Sequence, residues 1–330
     1  MKPRVCVVLK RSSWRKWVEE EKDTRIARLL ASGDETVRRM RPGHDDHTST
    51  VEEVRAALAS LGAEATYSEQ PHTFRVAEPC DLVMTVGGDG TLLAASHGIG
   101  AKTPLLGINS APSHSVGFFC AARKGGVRAA LEAALDGTLR RVELTRMRVE
   151  LNDRVLHDRI LNEVLFCHAS PAATSRYILK LVARAASGAG STGAKRERSA
   201  GERVLGSEEQ KSSGLWVGPA AGSTAAQRSA GGKVLPLGSR KLQYVVREPY
   251  RATGHELAMT LGLVDEGQTL QIKNKMRQAR VFLDGDHIVH EATIGDVVAM
   301  RRSDEPLTVL GLSRDGDGRR ERGVTKRAGA

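Results

Sequence analysis

The sequence predicts an α/β domain built on an open parallel sheet, followed by a mainly antiparallel, β-rich domain. Over residues 1–140, short apolar strands alternate with helical stretches, which is the rhythm of βαβ units. From residue 141 to residue 312, short strand-like runs separated by turn residues dominate. A length of 330 residues also exceeds that of one average domain, which favours a two-domain chain.

In the first domain, three apolar runs are predicted as strands of the parallel sheet. They cover residues 5–9, 82–86 and 105–108. Continuous apolar runs of this length are typical of strands that are buried on both faces. A helix is predicted to start at Thr50, because Thr50 and Glu53 have the spacing of a capping box and apolar residues follow at helical spacing.

The β-rich domain is predicted from six strand-like runs bounded by turn residues such as the Asp284-Gly285 pair. The runs cover residues 148–151, 176–182, 242–246, 269–272, 279–283 and 297–301. Two stretches are predicted to lack regular structure because they carry little apolar surface to bury. Residues 185–210 form a flexible insert rich in Gly, Ser, Ala and charge, and residues 313–330 form a basic, disordered tail.

The formal net charge of +11 raises the question of nucleic-acid binding. The excess of positive charge lies near the N-terminus and in the tail, and aromatic residues are not interleaved with it in the manner of RNA-binding proteins. We therefore expect a solvated basic surface and no nucleic-acid partner, with a field that attracts anionic nucleotides as the alternative.

The four cysteines, at positions 6, 80, 120 and 167, are far apart and form no Cys-x-x-Cys pair. This spacing argues against a zinc ribbon and is typical of reduced thiols in a cytosol. The sequence shows no signal-peptide pattern and no apolar run near the ~18 residues needed to span a bilayer. A cytoplasmic location without membrane contact is therefore expected.

The strongest functional signal is the run Gly87-Gly88-Asp89-Gly90-Thr91, which lies between a predicted strand and a helical stretch at 92–97. Glycines let the backbone approach a ligand, and the N–H groups of such a turn suit a phosphate. Thr91 is expected to cap the helix, and Asp89 to accept a proton from an attacking hydroxyl. The alternative is a purely structural strand–helix turn with Asp as a local turn residue.

The run at 87–91 resembles the signature that NAD kinases share with diacylglycerol and sphingosine kinases and, more loosely, with phosphofructokinases. Three further stretches, at 161–164, 222–225 and 229–232, are similar to NAD kinase motifs in order and approximate spacing. The similarity spans roughly residues 4–312 with gaps and is strongest to the mitochondrial-type subgroup. It implies a member of the NAD kinase family, and the absence of a targeting-peptide pattern favours a bacterial member over an organellar one.

The resemblance implies transfer of the γ-phosphoryl group of ATP to the 2′-hydroxyl of the adenosine ribose of NAD, with Mg²⁺ arriving on the ATP phosphates. It implies Asp89 as the general base. The phosphate-binding residues are then Gly87, Gly88, Gly90 and Thr91. The dinucleotide-binding residues are Asn162 and Glu163 at ribose hydroxyls, with Ser213, Thr224, Ala225 and Ser229 lining the pocket.

Alternatives remain for several of these residues. Taken alone, Asn162 is equally consistent with a turn and Glu163 with a solvated surface, and Ser223 and Thr224 with caps of a helix that starts near residue 225. Ser213 stands where many bacterial members of the family have Asp. A non-catalytic dinucleotide-binding regulator and a lipid or sugar kinase on the same scaffold are therefore kept as alternatives.

No all-protein metal site is predicted from the sequence. The resemblance implies a homodimer or a higher homo-oligomer. The residues do not distinguish NAD from NADH as the acceptor, or ATP from polyphosphate as the donor, and they identify no regulatory ligand.

Overall fold

The computed structural model describes residues 2–113, 115–184, 202–251 and 256–312. It contains a mainly parallel sheet flanked by helices and a sandwich of two antiparallel sheets, which confirms the predicted fold class. The predicted tail at 313–330 and the 185–201 part of the predicted insert lie outside the described residues. Within the described residues, no helix is both long enough and apolar enough to cross a membrane.

Within the described residues, the first domain contains four α-helices and seven strands, of which the seventh, β19 (Leu307–Leu310), comes from the end of the chain. The other six strands are β1 (Arg4–Leu9), β2 (Glu64–Ser68), β3 (Leu82–Gly87), β4 (Leu105–Asn109), β5 (Cys120–Arg123) and β6 (Arg141–Leu144). The helices are α1 (Thr24–Ala31), α2 (Met40–Ser60), α3 (Asp89–Ser96) and α4 (Val127–Leu135), with a short π-helix over Arg15–Glu20.

Strands β1 to β5 are parallel, and the core of the sheet has the order β2-β1-β3-β4. The direction of winding reverses between β1 and β3, because β2 lies beyond β1 while β4 lies beyond β3. Ligands of open α/β sheets bind at the carboxyl ends of the strands at such a reversal. Strand β1 ends at Leu9 and β3 at Gly87, so the reversal falls beside Lys10 and the glycine-rich turn.

Helices cover both faces of this sheet, which explains why its strands are apolar without alternation. On one face, Val54 and Leu58 of α2 and Leu131 of α4 pack against strand residues such as Val7 and Met84. On the opposite face, α3 packs through its buried leucine and alanine side chains.

Helix α2 begins at Met40, not at Thr50 as predicted. Thr50 lies inside the helix, where its hydroxyl donates to the Asp46 carbonyl oxygen at 2.8 Å. Glu53 accepts the backbone N–H groups of Gly125 and Val127 at 2.8 and 3.1 Å and so caps the start of α4. The capping-box spacing is present, but tertiary contacts give the two residues other partners.

The second domain contains twelve strands. They are β7 (Met147–Leu151), β8 (Arg154–Ile160), β9 (Val164–His168), β10 (Ser175–Arg184), β11 (Glu202–Ser212), β12 (Gly214–Pro219), β13 (Leu242–Arg247), β14 (Leu261–Val264), β15 (Gln268–Asn274), β16 (Ala279–Leu283), β17 (Ile288–Ala292) and β18 (Val297–Arg302). A 3₁₀ helix (Ala220–Thr224) and a short helix α5 (Ala226–Ser229) follow β12. The last strand of the described chain is β19 (Leu307–Leu310).

The sandwich consists of the sheets β11-β10-β15-β18-β7-β8 and β14-β13-β12-β9-β16-β17, in which every neighbouring pair is antiparallel. Their apolar faces form one core. Across it, the rings of Phe166 and Tyr177 meet edge to face with centroids 5.4 Å apart. Alternation of buried and exposed residues along these strands is the pattern expected of a sandwich.

Two segments differ from the predicted organisation. Residues 202–210, predicted as part of a flexible insert, belong to β11, whose first residues are mostly exposed on the sheet edge and so carry little apolar signal. Strands β6 and β19 fall within the predicted second domain, 141–312, yet both belong to the first sheet. β19 lies parallel to β4 and antiparallel to β6. These strands are far apart in the sequence, so no local pattern predicts their pairing.

Candidate active site

The glycine-rich turn is tight at its start and open at its end. Gly87 closes β3 and Gly88 is the N-cap of α3. A Cβ on Gly87 would overlap the Thr91 hydroxyl, and one on Gly88 would overlap the Ser115 hydroxyl. Gly90 is exposed, and a Cβ there would meet no atom within 4 Å. The first turn of α3 therefore presents open backbone to an anion at Gly90.

Thr91 does not cap α3 as predicted. The helix starts at Asp89, and its N-cap makes no side-chain cap bond. Thr91 is buried in the first turn, where its backbone N–H bonds to the Gly88 carbonyl oxygen at 3.1 Å. Its side chain occupies the space above Gly87, so Thr91 shapes the turn from inside.

The carboxylate of Asp89 is oriented by the segment that follows β4. Its two oxygens accept the backbone N–H groups of Phe118 and Phe119 at 3.0 and 2.9 Å. Hydrogen bonds to a charged acceptor are stronger than neutral ones, and they fix the carboxylate at the start of α3. Each carboxylate oxygen has a second lone pair, so Asp89 can still accept a proton from a bound hydroxyl. The two amides carry no side-chain signal, and the sequence does not indicate them.

The loop between β8 and β9, residues 161–163, is organised by one buried carboxylate. Asp284 accepts the backbone N–H groups of Leu161, Asn162 and Glu163 at 2.8, 2.8 and 2.9 Å. Asp284 lies in the hairpin between β16 and β17 with a φ of 47°. The sequence predicts it only as a turn residue, and the turn is present. The hydrogen bonds that Asp284 accepts from the distant 161–163 loop are not predicted from the sequence.

Asp284 also connects this loop to the helix that carries the predicted base. The Nε2 atom of His97, at the C-cap of α3, lies 2.8 Å from the Asp284 Oδ2 atom, and both side chains are buried. Helix α3 begins at Asp89, so a single carboxylate links the Asp89 helix with the Glu163 loop. Sequence reasoning does not indicate His97.

Arg146 secures the same end of α3 from the linker between the domains. Its guanidinium is fully buried and donates to the carbonyl oxygens of Ser96 and Ile99 at 3.1 and 2.9 Å. It also donates to the carbonyl oxygens of Glu305 and Pro306, where the chain crosses back to the first sheet. Burial lowers the pKa of Arg146 to about 10, so it remains charged at neutral pH.

Glu163 is buried at the centre of its loop. Burial raises its pKa to about 7, the nearby Asp284 carboxylate adds to the rise, and a hydrogen bond from the Asn162 side chain opposes it. The Glu163 Oε2 atom has no hydrogen-bond partner within the described part of the chain. Buried polar atoms are rarely left unpaired in folded proteins. This oxygen is therefore a candidate acceptor for a ligand hydroxyl.

The third predicted motif lies directly against this loop. A Cβ on Gly222 or on Gly218 would overlap the carbonyl oxygen of Asn162. Glycine at both positions is required because the two backbones are in contact. Thr224 and Ala225 follow at once and are half-buried beside the loop. The structure thus brings Asn162, Thr224 and Ala225 together.

Neither Ser223 nor Thr224 caps α5, whose N-cap is Ala225 without a side-chain bond. Ser223 instead stabilises the 3₁₀ helix. Its hydroxyl donates to the Ala220 carbonyl oxygen at 2.7 Å and accepts the Leu235 N–H at 2.9 Å. Ser223 is therefore structural.

Two predicted dinucleotide-binding residues lie apart from this group. Ser229, at the end of α5, is exposed at the rim. Ser213 precedes β12, where its N–H bonds to the Arg247 carbonyl oxygen at 3.0 Å. Gly218 lies five residues farther along β12, roughly 16 Å away at ~3.3 Å per residue. Within one chain, the structure does not bring Ser213 together with Glu163.

A cavity of about 510 Å³ opens in front of the glycine turn, between the two domains. Its lining includes one acidic residue, Glu69, together with Lys10, Arg11, Lys16, His72, Gly90, Thr91 and His287. Lys10 follows β1 directly, its backbone N–H bonds to the Val86 carbonyl oxygen, and burial lowers its pKa. Three cationic side chains beside open backbone N–H groups make this cavity suitable for a polyanion.

Comparison with known proteins supports an assignment for this arrangement. Residues 34–139 match the family model of the ATP-NAD kinase N-terminal domain. A probable NADH kinase of Oryza sativa is 36% identical over 242 residues, covering 69% of each protein. An NADH kinase of Arabidopsis thaliana is 34% identical over 248 residues, covering 71% of this chain and 73% of that protein.

Two solved structures share the fold. An NAD kinase from Archaeoglobus fulgidus, in complex with ATP, superposes with a TM-score of 0.61 at 18% identity and covers 94% of both chains. A yeast NADH kinase complexed with NADH superposes with a TM-score of 0.62 at 14% identity and covers 96% of this chain and 85% of that one. None of these relatives favours a lipid kinase, a sugar kinase or a non-catalytic regulator. At 36% identity across more than two thirds of both sequences, the chain belongs to the NAD kinase family.

Proposed function

We propose that this NAD kinase transfers the γ-phosphoryl group of ATP to the 2′-hydroxyl of the adenosine ribose of NAD in the crevice between the glycine turn and the 161–163 loop. The proposal rests on the contacts of the Asp284 carboxylate. It bonds to His97 at one end of the Asp89 helix and to three backbone N–H groups of the Glu163 loop. A proton acceptor and a hydroxyl-binding loop are thereby held at one crevice.

Asp89 is the proposed general base. As the 2′-oxygen attacks the γ-phosphorus, the proton of the hydroxyl moves to the Asp89 carboxylate, the new O–P bond forms and the bond to the β-phosphate oxygen breaks, releasing ADP. Phosphoryl transfer depends mainly on positioning and electrostatics. The N–H bonds from Phe118 and Phe119 supply the positioning of the carboxylate.

The basic cavity is the proposed site of the triphosphate. Lys10, Arg11 and Lys16 face the open N–H groups of the first turn of α3 across it. Ammonium, guanidinium and N–H donors fit phosphate oxygens and repel a bare cation. We therefore propose that Mg²⁺ is carried into the cavity by the triphosphate, where it neutralises phosphate charge when bound.

The dinucleotide is proposed to lie on the 161–163 loop and the motif packed against it. Asn162 offers both donors and an acceptor, and Glu163 an unpaired acceptor, which together suit the vicinal hydroxyls of a ribose. Thr224 and Ala225 contribute the adjoining wall, with Ser229 at its rim. Ser213 is proposed to act at most on a part of the ligand far from Glu163.

NADH is proposed as a second acceptor. Two plant relatives and one solved structure of the same fold are NADH kinases. The reaction takes place at the adenosine ribose, which is identical in the two oxidation states. Parallel assays with NAD and NADH are expected to give turnover with both, and turnover with NAD alone would contradict this extension.

We also propose a cytoplasmic homodimer. The edge strand β14 exposes Leu261 and Leu263, which favours burial against a second copy. The four cysteines are free thiols, which supports a reducing compartment. Size-exclusion chromatography with light scattering tests the dimer, and cell fractionation tests the location.

The decisive assay measures NADP formation from NAD, ATP and Mg²⁺ with a coupled NADP-specific dehydrogenase. Asp89→Asn is expected to lower kcat about 10²- to 10⁴-fold. An Asn at this position also turns an amide N–H₂ group towards the N–H of Phe118 or Phe119, so NAD binding by the variant must be measured by calorimetry in parallel. Full turnover in the variant would refute Asp89 as the base, and an inactive wild type would refute the proposed reaction.

A further inference from the structure

Gln227 is the buried residue of helix α5, and the orientation of its amide is determined by its neighbours. Its Oε1 atom accepts a hydrogen bond from Gln243 Nε2 at 3.0 Å. Gln243 is itself fixed, because its Oε1 atom accepts the Lys233 N–H at 2.8 Å and its Nε2 atom donates to the Lys233 carbonyl oxygen at 3.1 Å. The N–H₂ group of Gln243 must therefore face Gln227, and Gln227 must present its oxygen in return.

The opposite end of the Gln227 amide is consequently a free donor. Its Nε2 atom is buried and has no hydrogen-bond partner among the residues the structure describes. It lies 2.5 Å from the position that a Gly218 Cβ would occupy, and the Cα atom of Glu163 lies 3.1 Å from the same point. The carbonyl oxygen of Asn162 lies closer still to that point, so the free N–H₂ group borders the 161–163 loop at Asn162 and Glu163.

Glu163 has the complementary unpaired atom. Its Oε2 is a buried acceptor without a partner in the described ranges. The titratable group that faces it is Asp284 of the β16–β17 hairpin, with His97 of α3 behind that carboxylate. The other elements packed against the loop, β12 and α5, contribute Gly218 and Gln227, which carry no charge.

A buried donor and a buried acceptor that both lack partners, on residues that border the same glycine, are unfavourable unless another state pairs them. The backbone around Glu163 is held by Asp284, so the free movement left to it is rotation of its own side chain. Such a rotation brings the carboxylate to a donor that is already fixed in direction. No rearrangement of Gln227 is required.

We propose that Gln227 is a positioning residue, whose Nε2 group donates a hydrogen bond to the Glu163 carboxylate when NAD is bound and keeps that carboxylate ionised with its other oxygen towards the ribose. This inference rests on the proposed role of Glu163 at the ribose hydroxyls. A hydrogen bond donated to a carboxylate favours the charged form, which is the form that accepts from two hydroxyls. Gln227 itself touches no reacting atom.

The test is the pH dependence of kcat/KM for NAD in the wild type and in Gln227→Met, which keeps the length of the side chain and removes the donor. The acid limb of the profile is expected to move to higher pH by about one unit. At pH 7 the KM for NAD is expected to rise about fivefold, with the KM for ATP unchanged. An unmoved acid limb would overturn the proposal, whatever the loss of activity.

Gln210→Met is the matched control. Gln210 is as deeply buried as Gln227 and also has one unpaired amide atom, but it lies on β11 in the other sheet. The same substitution there is expected to leave the acid limb in place. An equal shift in both variants would show a general effect of losing a buried amide and would overturn the specific role of Gln227.

A double-mutant cycle provides the second test. On a Glu163→Gln background, Gln227→Met is expected to change the KM for NAD less than about twofold, because the carboxylate through which it acts is gone. A full effect on that background would contradict the proposal. If Gln227→Met does not fold, Gln227→Asn is the alternative variant, because it retains the amide but shortens its reach. An acid limb at the same pH as in the wild type would then count against the inference. NADP formation by the wild type, measured first, tests the proposed function separately.

Discussion

The glycine turn after β3 and the loop between β8 and β9 are the two halves of the proposed site, but different parts of the chain hold them in place. The turn is held locally, by the strand before it, the helix after it, and two backbone N–H groups 29 and 30 residues away. The loop is held by Asp284, which lies more than 120 residues farther along the chain. One side of the site is thus determined by its own sequence, and the other by a side chain from a distant hairpin.

The largest effect is expected from removing the Asp284 carboxylate, which holds the 161–163 loop from a distant hairpin. Asp284→Ala leaves three backbone N–H groups and His97 without their acceptor, and we expect the free energy of unfolding to fall by about 3–5 kcal/mol. The KM for NAD is expected to rise more than the KM for ATP. Urea denaturation and steady-state kinetics measure the two effects.

Asp286→Ala is the matched control for that variant. Asp286 lies in the same hairpin, but its side chain is 87% exposed. Its loss is expected to change the stability by less than about 0.5 kcal/mol. If the two variants behaved alike, the loop would not depend on the Asp284 carboxylate.

A smaller effect is expected from adding one methyl group on each side of the crevice. Gly222→Ala places a Cβ on the carbonyl oxygen of Asn162, so the loop must move, and we expect a loss of about 1–3 kcal/mol with weaker NAD binding. Gly90→Ala meets open space within α3 and is expected to stabilise the protein by about 0.5–1 kcal/mol. Thermal denaturation measures both, and a tolerated Gly222→Ala would show that the loop is not packed against the motif as described.

The last expected effect is the pH dependence that Glu163 contributes to stability. Its pKa rises from an ordinary 4.5 to about 7 in the folded protein, so the folded state holds the proton more tightly than the unfolded state. The free energy of unfolding of the ligand-free protein is therefore expected to fall between pH 4.5 and pH 7, by up to about 3 kcal/mol from this group.

Glu163→Gln is expected to remove that contribution, which denaturation series at several pH values would show. NAD binding has the opposite pH dependence, because the ionised carboxylate is the form that accepts from hydroxyls. A Glu163→Gln protein with the pH dependence of the wild type would mean that another group is responsible.

The sequence was most informative where contacts are local. Strand-like runs, the strand–turn–helix around residues 87–91 and the alternation in the sandwich all depend on neighbouring residues, and the structure contains them. The start of α2 differed because its first turns, near Met40, are polar and are stabilised by packing against other elements. Likewise, β11 was not predicted because an exposed edge strand need not be apolar.

The same difference between local and distant contacts applies to the residues of the candidate site. Gly87 is explained by a contact with Thr91 of its own motif, whereas Gly88 and Gly222 are required by Ser115 and Asn162, which lie elsewhere in the chain. Asp284, His97 and Gln227 were not predicted as site residues, because their importance arises from partners far away in the sequence. Lys10 is an intermediate case between local and distant contacts. It follows β1 directly, but its place at the site can be recognised only when the strand order β2-β1-β3-β4 is known.

The return of β19 to the first sheet has a consequence for how the protein is made. Strand β6 is joined to that sheet only through β19, so the sheet is incomplete until the ribosome has produced residues 307–310, after all the strands of the sandwich. Until then one edge of β4 lacks this neighbour, and open strand edges promote aggregation. The nascent first domain therefore depends on the fully made sandwich to deliver its last strand, and this order of synthesis favours chaperone protection and late, concerted completion of the active-site crevice.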